Sequence, residues 1–330
     1  MSRLMYVVGN RFKDFSLYRT MGPGNAGGGV ATKVMRVAEI LRGFYDVDLI
    51  GEFSVHDTAS ILMLDPLAIR LARDSENMLD AYENHTANLK VLYCSEQAFL
   101  ELSSDFRERL YKASSVVTTC SDFQELQFNM IGYPSVRLCD PIPDIFYSPD
   151  TSKMLSVVSM GHISHFKNIP MLIEIYKLLY NAGVKTIYVG GSALWGDLSV
   201  KNRSLELELR RYCREFERNV PQYQVARILS KAAMGVCCSF HETASEGNQE
   251  GNMAGVWWYC GDHRLWKERP GRYGLRSPKH FFEVMSKDTD GFNRVPAAAK
   301  RVKAEKWALD HCSTSAFLKQ WEEVVTYANW

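Results

Sequence analysis

Two glutamates between two short apolar runs constrain the fold of this chain more than any other feature of its sequence. Residues 234–238 and 256–260 have the length and composition of buried parallel strands. Glu242 follows the first run, Glu250 comes after seven further residues, and Gly255 lies five positions beyond Glu250. This order predicts a strand, a loop with one carboxylate, a helix with a second carboxylate in its first turn, and another strand. Both carboxylates would then face the edge of the sheet at which α/β folds bind ligands.

The groups expected at this edge suit a phosphorylated sugar. Ionised carboxylates only accept hydrogen bonds, so they suit the hydroxyl groups of a sugar or a ribose. The free N–H groups of a helix that opens near Gly247 suit a phosphate. The alternative interpretation is that Glu242 and Glu250 are solvated side chains on either side of a helix start.

A second motif lies upstream of the first. Residues 156–160 are a candidate buried strand, Gly161 follows directly, and Lys167 precedes a segment whose apolar residues repeat with helical spacing. Glycine lets the backbone approach a ligand closely, and a lysine beside a helix N-terminus is a natural partner for a diphosphate. His162 and His165 suggest a metal site, but no third ligand follows at metal-binding spacing, so we expect no metal.

The two motifs together resemble the signatures of glycosyltransferase family 4, whose members are retaining enzymes with the GT-B fold. That family has a glutamate, seven variable residues, a second glutamate and a glycine five positions further on, as at Glu242, Glu250 and Gly255. It also has Gly-Arg-Leu, three variable residues and Lys-Gly, where this chain has Gly161 and Lys167.

The sequence departs from this family pattern at several positions. His162 stands where the family has arginine, which makes that contact weaker or pH-dependent. The family usually has glycine at the positions of Thr243 and Ser245, and alanine at that of Gly251. Residues 246–247 offer a rival register for the first glutamate, which would require a shortened loop. These departures keep a third interpretation open, a catalytically inactive GT-B domain that only binds.

The resemblance implies an α/β protein with two Rossmann-like, doubly wound parallel-sheet domains that face each other across a cleft. It implies transfer of a hexose or pentose from a nucleoside diphosphate sugar, in the first place a UDP-sugar, to an acceptor hydroxyl with retention at the anomeric carbon. Lys167 would bind the diphosphate, Glu250 the ribose, and Glu242 with the backbone after it the sugar. Neither a protein nucleophile nor a metal or other cofactor is expected, because the lysine and helix N-termini stabilise the leaving diphosphate. The residues assigned to donor binding are Gly28, Gly29, Gly161, His162, Lys167, Glu242, Ser245, Gly247 and Glu250.

The amino-terminal half supports the same resemblance through a glycine-rich loop. Residues 4–8 are a candidate first strand, and Gly28 and Gly29 match the paired glycines that the family places after it. Residues 22–27 also contain Gly-x-Gly-x-x-Gly, which is typical of a dinucleotide site. That fingerprint must directly follow its strand, whereas about a dozen residues intervene here. A loop with no binding role is the remaining alternative.

The end of another candidate strand, residues 90–94, is expected to face the acceptor. Many family members have a histidine there, whereas this chain has Ser95 and Glu96. The pattern resembles the phage DNA α-glucosyltransferases, which have an acidic residue in this loop. That resemblance implies that Glu96 contacts the acceptor hydroxyl or takes its proton, so Glu96, Glu242 and Lys167 are the candidate catalytic residues. The alternative is a solvated glutamate at a helix start, where the helix dipole favours it.

Charge is balanced over the whole chain but not locally. Lysine and arginine total 39 and aspartate and glutamate 38, so no overall field requires a nucleic-acid or membrane partner. Residues 262–279 hold six basic and two acidic side chains. Arg269 and Arg272 are therefore candidates for contacting phosphates of an acceptor. Together with Glu96 they are the candidate acceptor-binding residues. A solvated loop is the alternative.

The acceptor stays open on the sequence alone. It is a glycan or a lipid-linked saccharide, as for most of the family, or a hydroxymethylated pyrimidine in phage DNA. A DNA acceptor would have to be taken out of the base stack.

The chain of 330 residues is long enough for two domains. Residues 140–150 contain three prolines and resemble a hinge. We expect an amino-terminal acceptor-side domain at 1–144, a donor domain at 145–310, and a final helix at 311–330 that packs back on the first domain. Within the donor domain, a charged helix is expected over 205–218.

The cysteines indicate the compartment. Eight cysteines show no Cys-x-x-Cys spacing, and several lie in candidate strands, which indicates buried thiols in a reducing environment. The sequence has neither a signal-peptide pattern nor an apolar run of membrane-spanning length. We therefore expect a cytoplasmic protein, in the host cytoplasm if the chain is viral; its oligomeric state does not follow from the sequence.

Overall fold

The computed structural model describes residues 1–9, 29–95, 98–149, 152–190, 200–218, 220–240, 242 and 245–327. Contacts between Cα atoms divide the chain into two compact units. The first contains the first strand, residues 33–141 and the last helix, and the second contains residues 142–313 and, of the helix that begins at Gly29, residues 29–32. Gly28 and Glu96, which the sequence analysis singles out, lie outside the described residues.

The first unit is built on a parallel sheet. Its strands are β1 (Arg3–Val7), β2 (Asp46–Ile50), β3 (Ile61–Leu64), β4 (Leu89–Cys94), β5 (Val116–Thr119) and β6 (Val136–Arg137). The helices between them are α1 (Gly29–Leu41), α2 (Pro66–Leu71), α3 (Ser75–Asn84), α4 (Ala98–Glu101), α5 (Ser104–Ala113) and α6 (Asp122–Met130). In the described residues the strand order is β2-β1-β3-β4-β5-β6, and every pairing is parallel.

The second unit repeats this plan. Its strands are β7 (Met154–Met160), β8 (Lys185–Gly190), β9 (Glu215–Arg218), β10 (Ala232–Cys237), β11 (Trp257–Cys260) and β12 (Gly271–Arg272). Its helices in the described residues are α7 (Ile169–Asn181), α8 (Val200–Arg211), α9 (Gln222–Lys231), α10 (Glu246–Met253), α11 (Pro278–Asp288) and α12 (Ala298–Cys312). The helix that follows in the chain, α13 (Thr314–Tyr327), is part of the first unit. The parallel strands lie in the order β12-β11-β10-β7-β8-β9, so the order reverses between β7 and β10.

The α/β fold with two Rossmann-like parallel sheets is confirmed. All residues of β4, β10 and β11 are buried. Strands covered on both faces by helices carry continuous apolar runs, which is why the strands expected at 90–94, 234–238 and 256–260 coincide with these three. Within the described part of the chain, no helix has both the length and the apolar character needed to cross a membrane.

The charged helix expected over 205–218 is wrong in its second half. α8 ends at Arg211, and Glu215–Arg218 form β9 at the edge of the sheet beside β8. Phe216 stacks on Tyr188 of β8, with ring centroids 5.2 Å apart. Phe216 lies between Glu215 and Glu217, and this pattern fits an edge strand with one solvated face, because side chains on a strand point to opposite faces in turn.

The last helix of the chain, α13, belongs to the first unit. The indole N–H of Trp321 donates to the hydroxyl of Tyr45 at 3.2 Å, and the two rings meet edge to face. The side-chain oxygen of Gln320 accepts from the backbone N–H of Cys139 at 2.7 Å. The domain limits at residues 144 and 310 stay predictions.

Lys153 ties together the ends of two helices in the second unit. Its Nζ donates to the carbonyl of Leu229 in α9 at 3.0 Å and to that of Ala254, the residue that follows α10. A cation at the carboxyl ends of helices is favoured by their dipoles. Burial and, after it, the neighbouring Arg301 lower the pKa of Lys153 to about 7, while Glu305 acts in the opposite direction.

Candidate active site

The two sequence motifs meet where the second sheet reverses its strand order. In parallel α/β sheets, ligands bind outside the carboxyl ends of the strands at such a reversal. The loop after β7 leads through Gly161 and Lys167 to α7. The loop after β10 leads through Glu242 to α10, and β7 and β10 are neighbours in the sheet. Strand order, which the sequence does not contain explicitly, thus places both motifs at one ligand-binding edge.

An ion pair joins these two loops. Lys167 Nζ donates to Oε1 of Glu242, and the two side chains are 26% and 9% exposed. The backbone makes a second link, because the N–H of Phe240 donates to the carbonyl of Phe166 at 2.8 Å. An anion that binds here must compete with Glu242 for the lysine.

The aliphatic part of the Lys167 side chain packs against the backbone of Gly161. Its backbone has a φ of +130°, and a Cβ at this position would lie 3.0 Å from Cε of Lys167. The backbone conformation therefore favours glycine, and the absence of a Cβ lets the Lys167 stem pack closely on the backbone. The carbonyl of Gly161 accepts from the hydroxyl of Tyr188 at 2.7 Å, which fixes the start of the loop. His162 follows as a half-buried residue.

Both helices of the site begin after a residue that has a left-handed backbone but is not glycine. Asn168 has φ 47° and ψ 51° before α7, and Ser245 has φ 49° and ψ 66° before α10. The family that the sequence resembles has glycine at both positions. This chain keeps the conformation without the glycine, at a strain on the order of 1 kcal/mol per residue.

The carboxylate of α10 lies further along the helix than the sequence analysis expects. α10 begins at Glu246, so Glu250 is its fifth residue and opens the second turn. The side chain is 8% exposed. At Gly247, a Cβ would lie 3.3 Å from the Cβ of Met160 in β7, so glycine lets the start of α10 approach the end of β7 closely.

Trp258 explains why this chain has Gly251 where the family has alanine. Trp258 lies on β11 and is 2% exposed. A Cβ at Gly251 in α10 would lie 2.5 Å from its Cζ2, and a Cβ at Gly235 in β10 would lie 2.3 Å from its Cε3. The indole thus fills space that side chains at these two glycines would otherwise occupy.

Arg269 and Arg272, the expected acceptor contacts, have different surroundings. Arg269 is 8% exposed, and its guanidinium donates to the carbonyl of Ser245 at 3.3 Å, beside the start of α10. Arg272 is more exposed and pairs with Asp288 at 3.3 Å. Burial alone would raise the pKa of Asp288, but hydrogen bonds from Arg272 and Lys300 hold that pKa below its usual range.

Two further cations of the basic stretch also have carboxylate partners. Arg276 pairs with Asp262 at 3.0 Å, and Lys279 pairs with Glu283 at 3.7 Å. The local excess of positive charge is therefore partly neutralised by neighbouring side chains. Among the described residues, no three His, Cys, Asp or Glu side chains are placed to hold a metal ion together.

The sequence analysis missed a buried polar cluster in the first unit. Lys33 on α1 is 1% exposed, and its Nζ donates to the carbonyl of Ser95 at 3.4 Å. The hydroxyl of Ser95 donates to Asp65 at 3.1 Å. A signal was present, since Lys33 stands on the apolar face of α1, where a charged residue is seldom buried without a partner. Ser95 directly precedes Glu96, so the cluster holds the start of the loop on which the acceptor residue was predicted.

Comparison with known proteins identifies the fold. No family model matches the chain, and no curated protein matches its sequence. Sucrose-phosphate synthase from Thermosynechococcus elongatus superimposes with a TM-score of 0.69 at 12% identity, over 99% of this chain and 98% of that one. Anabaena HepE in complex with UDP and glucose gives 0.67 at 11% identity, over 99% and 100%.

A further match is partial. TarM gives a TM-score of 0.56 at 14% identity, over 89% of this chain but 57% of TarM, so the chain spans little more than half of that protein's length. These structures are GT-B glycosyltransferases, and the chain has their GT-B fold.

Proposed function

We propose that the protein is a retaining glycosyltransferase that transfers a sugar from a nucleoside diphosphate sugar to an acceptor hydroxyl. The observation that carries this proposal is the Lys167–Glu242 pair at the strand-order reversal, beside the starts of α7 and α10. A cation and two helix N-termini at one place stabilise the negative charge of a leaving diphosphate. HepE was solved with UDP and glucose, which supports a UDP-sugar as the donor.

In this proposal each site residue binds a different part of the donor. Lys167 leaves Glu242 and binds the diphosphate, and Glu250 accepts hydrogen bonds from the ribose hydroxyls. Glu242, released from the lysine, accepts from a sugar hydroxyl. The other residues proposed to line the donor are Gly28, Gly29, Gly161, His162, Ser245 and Gly247.

Retention follows from the proposed reaction geometry. The acceptor hydroxyl attacks the face of the sugar from which the phosphate leaves, and a phosphate oxygen takes its proton. No protein nucleophile is required, and catalysis consists of positioning the reactants and stabilising the leaving group. Glu96 is proposed to contact the attacking hydroxyl.

A glycan or lipid-linked saccharide is the proposed acceptor, with Arg269 and Arg272 beside it. A DNA acceptor has less support, because Arg272, Arg276 and Lys279 each have a carboxylate partner. We further propose a reducing, cytoplasmic location. Burial raises the pKa of the Cys94 thiol, as expected of an inert reduced cysteine.

Calorimetric titration with UDP tests the donor site. Lys167→Ala should weaken UDP binding about ten- to a hundredfold, because a hydrogen bond to a charged group contributes about 1.5–3 kcal/mol. Glu250→Ala should also weaken it, through the lost ribose contacts. Lys177→Ala is the matched control, because Lys177 lies on α7, the helix that follows Lys167, is 45% exposed and contacts Glu174 only at 3.8 Å. Equal affinities in all four proteins would refute the donor assignment.

Turnover tests the reaction itself. Incubation with UDP-glucose, UDP-galactose and UDP-N-acetylglucosamine should release UDP slowly by hydrolysis even without an acceptor. Binding of UDP without any release from these donors would support an inactive domain instead. With a transferable acceptor, proton NMR of the product should show the anomeric configuration of the donor, and inversion would refute the retaining mechanism.

A further inference from the structure

Two exposed phenylalanines flank the Lys167–Glu242 pair. Phe166 directly precedes Lys167 and is 60% exposed, and Phe240 lies two positions before Glu242 and is 58% exposed. The backbone hydrogen bond between Phe240 and Phe166 holds the two residues side by side. Large apolar side chains that are exposed together mark a contact surface more often than single ones do.

The two phenylalanines are more exposed to solvent than the charged pair between them. Glu242 is 9% exposed, Lys167 is 26% exposed, and both phenylalanines are more than half exposed. The rings therefore lie further toward solvent than the charged pair that the proposed function assigns to the donor. A molecule that meets the donor from the solvent side would contact these rings first.

The charges nearby favour an uncharged ring as that molecule. Nucleic acids are bound by cations that neutralise their phosphates, and a carboxylate lies within 3.7 Å of each of Arg272, Arg276 and Lys279, which lowers the local excess of positive charge. The flat faces of aromatic rings pack on the C–H face of a pyranose, which carries no charge.

We propose that Phe166 and Phe240 form a stacking platform for the sugar ring of a saccharide acceptor. This inference rests on the proposed glycosyl transfer and gives its acceptor a chemical class. The platform selects a pyranose through its faces and orients the ring relative to the donor. The phenylalanines themselves take no part in the bond changes.

Saturation-transfer NMR with maltose, lactose and N-acetylglucosamine, each at saturating UDP, tests the platform. At least one saccharide should receive saturation mainly at the ring protons of one face. Phe166→Leu and Phe240→Leu keep apolar bulk but lose the flat face, and each should weaken binding of that saccharide about three- to tenfold. Phe240→Trp should retain binding. Phe44→Leu is the matched control, because Phe44 is 55% exposed in the turn after α1.

Calorimetric measurement of UDP affinity in every variant distinguishes a failure of the proposed function from a failure of the platform. Wild-type protein that does not bind UDP would refute the proposed function, and the platform with it. Normal UDP affinity combined with no saccharide binding, or with equal saccharide binding in the leucine variants, would overturn the platform alone. A duplex containing 5-hydroxymethylcytosine that binds wild type and is lost in the same variants would overturn it in favour of a nucleic-acid acceptor.

Discussion

Glu242→Gln should tighten the binding of UDP rather than weaken it. In the structure Glu242 holds Lys167, so a diphosphate binds only after this ion pair has opened. The bound phosphates then face the negative charge of the carboxylate. Glutamine keeps the size of the side chain and removes its charge, so it takes away both the competitor and the repulsion.

The magnitude follows from the burial of the pair. Solvated ion pairs contribute about 0.2–1 kcal/mol, and breaking a buried pair costs about 3–5 kcal/mol. With Glu242 9% and Lys167 26% exposed, the pair lies between these limits but keeps access to water. A net release of about 1 kcal/mol corresponds to a Kd for UDP that is about fivefold lower.

Calorimetry of wild type, Glu242→Gln and Lys167→Met with UDP measures this effect. The two variants should shift the Kd in opposite directions, although they break the same ion pair. Glu174→Gln is the control, because this carboxylate on α7 is 54% exposed and contacts Lys177 only at 3.8 Å. UDP binding by Glu242→Gln that is weaker than wild type would mean that the carboxylate binds the nucleotide directly, and the competition argument would fail.

Four further predictions concern stability and the acceptor. Ser245→Gly should raise the free energy of unfolding by about 0.5–1 kcal/mol in urea denaturation, because glycine relieves the left-handed strain and loses part of the gain to chain entropy; a loss of stability would contradict the strain. Gly251→Ala should destabilise wild type by about 1–2 kcal/mol through overpacking but not the Trp258→Leu background, so equal effects in both backgrounds would refute the clash. Between pH 7 and about 10.5 only the unfolded chain carries a proton on Lys153, so the free energy of unfolding should rise with pH in that window, and Lys153→Met should flatten the rise; parallel pH profiles would contradict the lowered pKa. Arg272→Ala should leave the salt dependence of any duplex binding unchanged, because Asp288 already engages this arginine, whereas a slope reduced by about 0.9 would indicate a phosphate contact.

Buried strands could be predicted because each is a continuous apolar run in the sequence. Residues 256–260 form a continuous apolar run, and Trp257–Cys260 form β11. The edge strand Glu215–Arg218 has no such apolar run, since three of its four side chains are charged, and its charged residues continue those at the end of α8. No local pattern in the sequence indicates strand order. The pairing of β7 with β10 joins segments about eighty residues apart and depends on the packing of the whole unit.

The candidate site, too, could be predicted from the sequence only in part. The resemblance to the family signatures implied that Lys167 and Glu242 would both face the donor. Their direct contact depends on side-chain conformations and on the Gly161 backbone, which the spacing does not specify. The burial of Lys33 could have been predicted from its place on the apolar face of α1, but its partner Ser95 could not, because the two residues are 62 positions apart in the chain.

The departures from the family pattern bear on whether the proposed enzyme is active. Ser245 keeps the left-handed conformation for which the family uses glycine. Gly251 replaces alanine where Trp258 leaves no room for a methyl group, so the helix keeps its place against the sheet. In the proposed donor site, histidine at position 162 supplies a weaker positive charge than the family arginine. The guanidinium of Arg269 contacts the carbonyl of Ser245 and brings a cation to the start of α10. Because shape or charge is kept at Ser245, Gly251 and His162, these three departures favour the proposed active enzyme over an inactive domain.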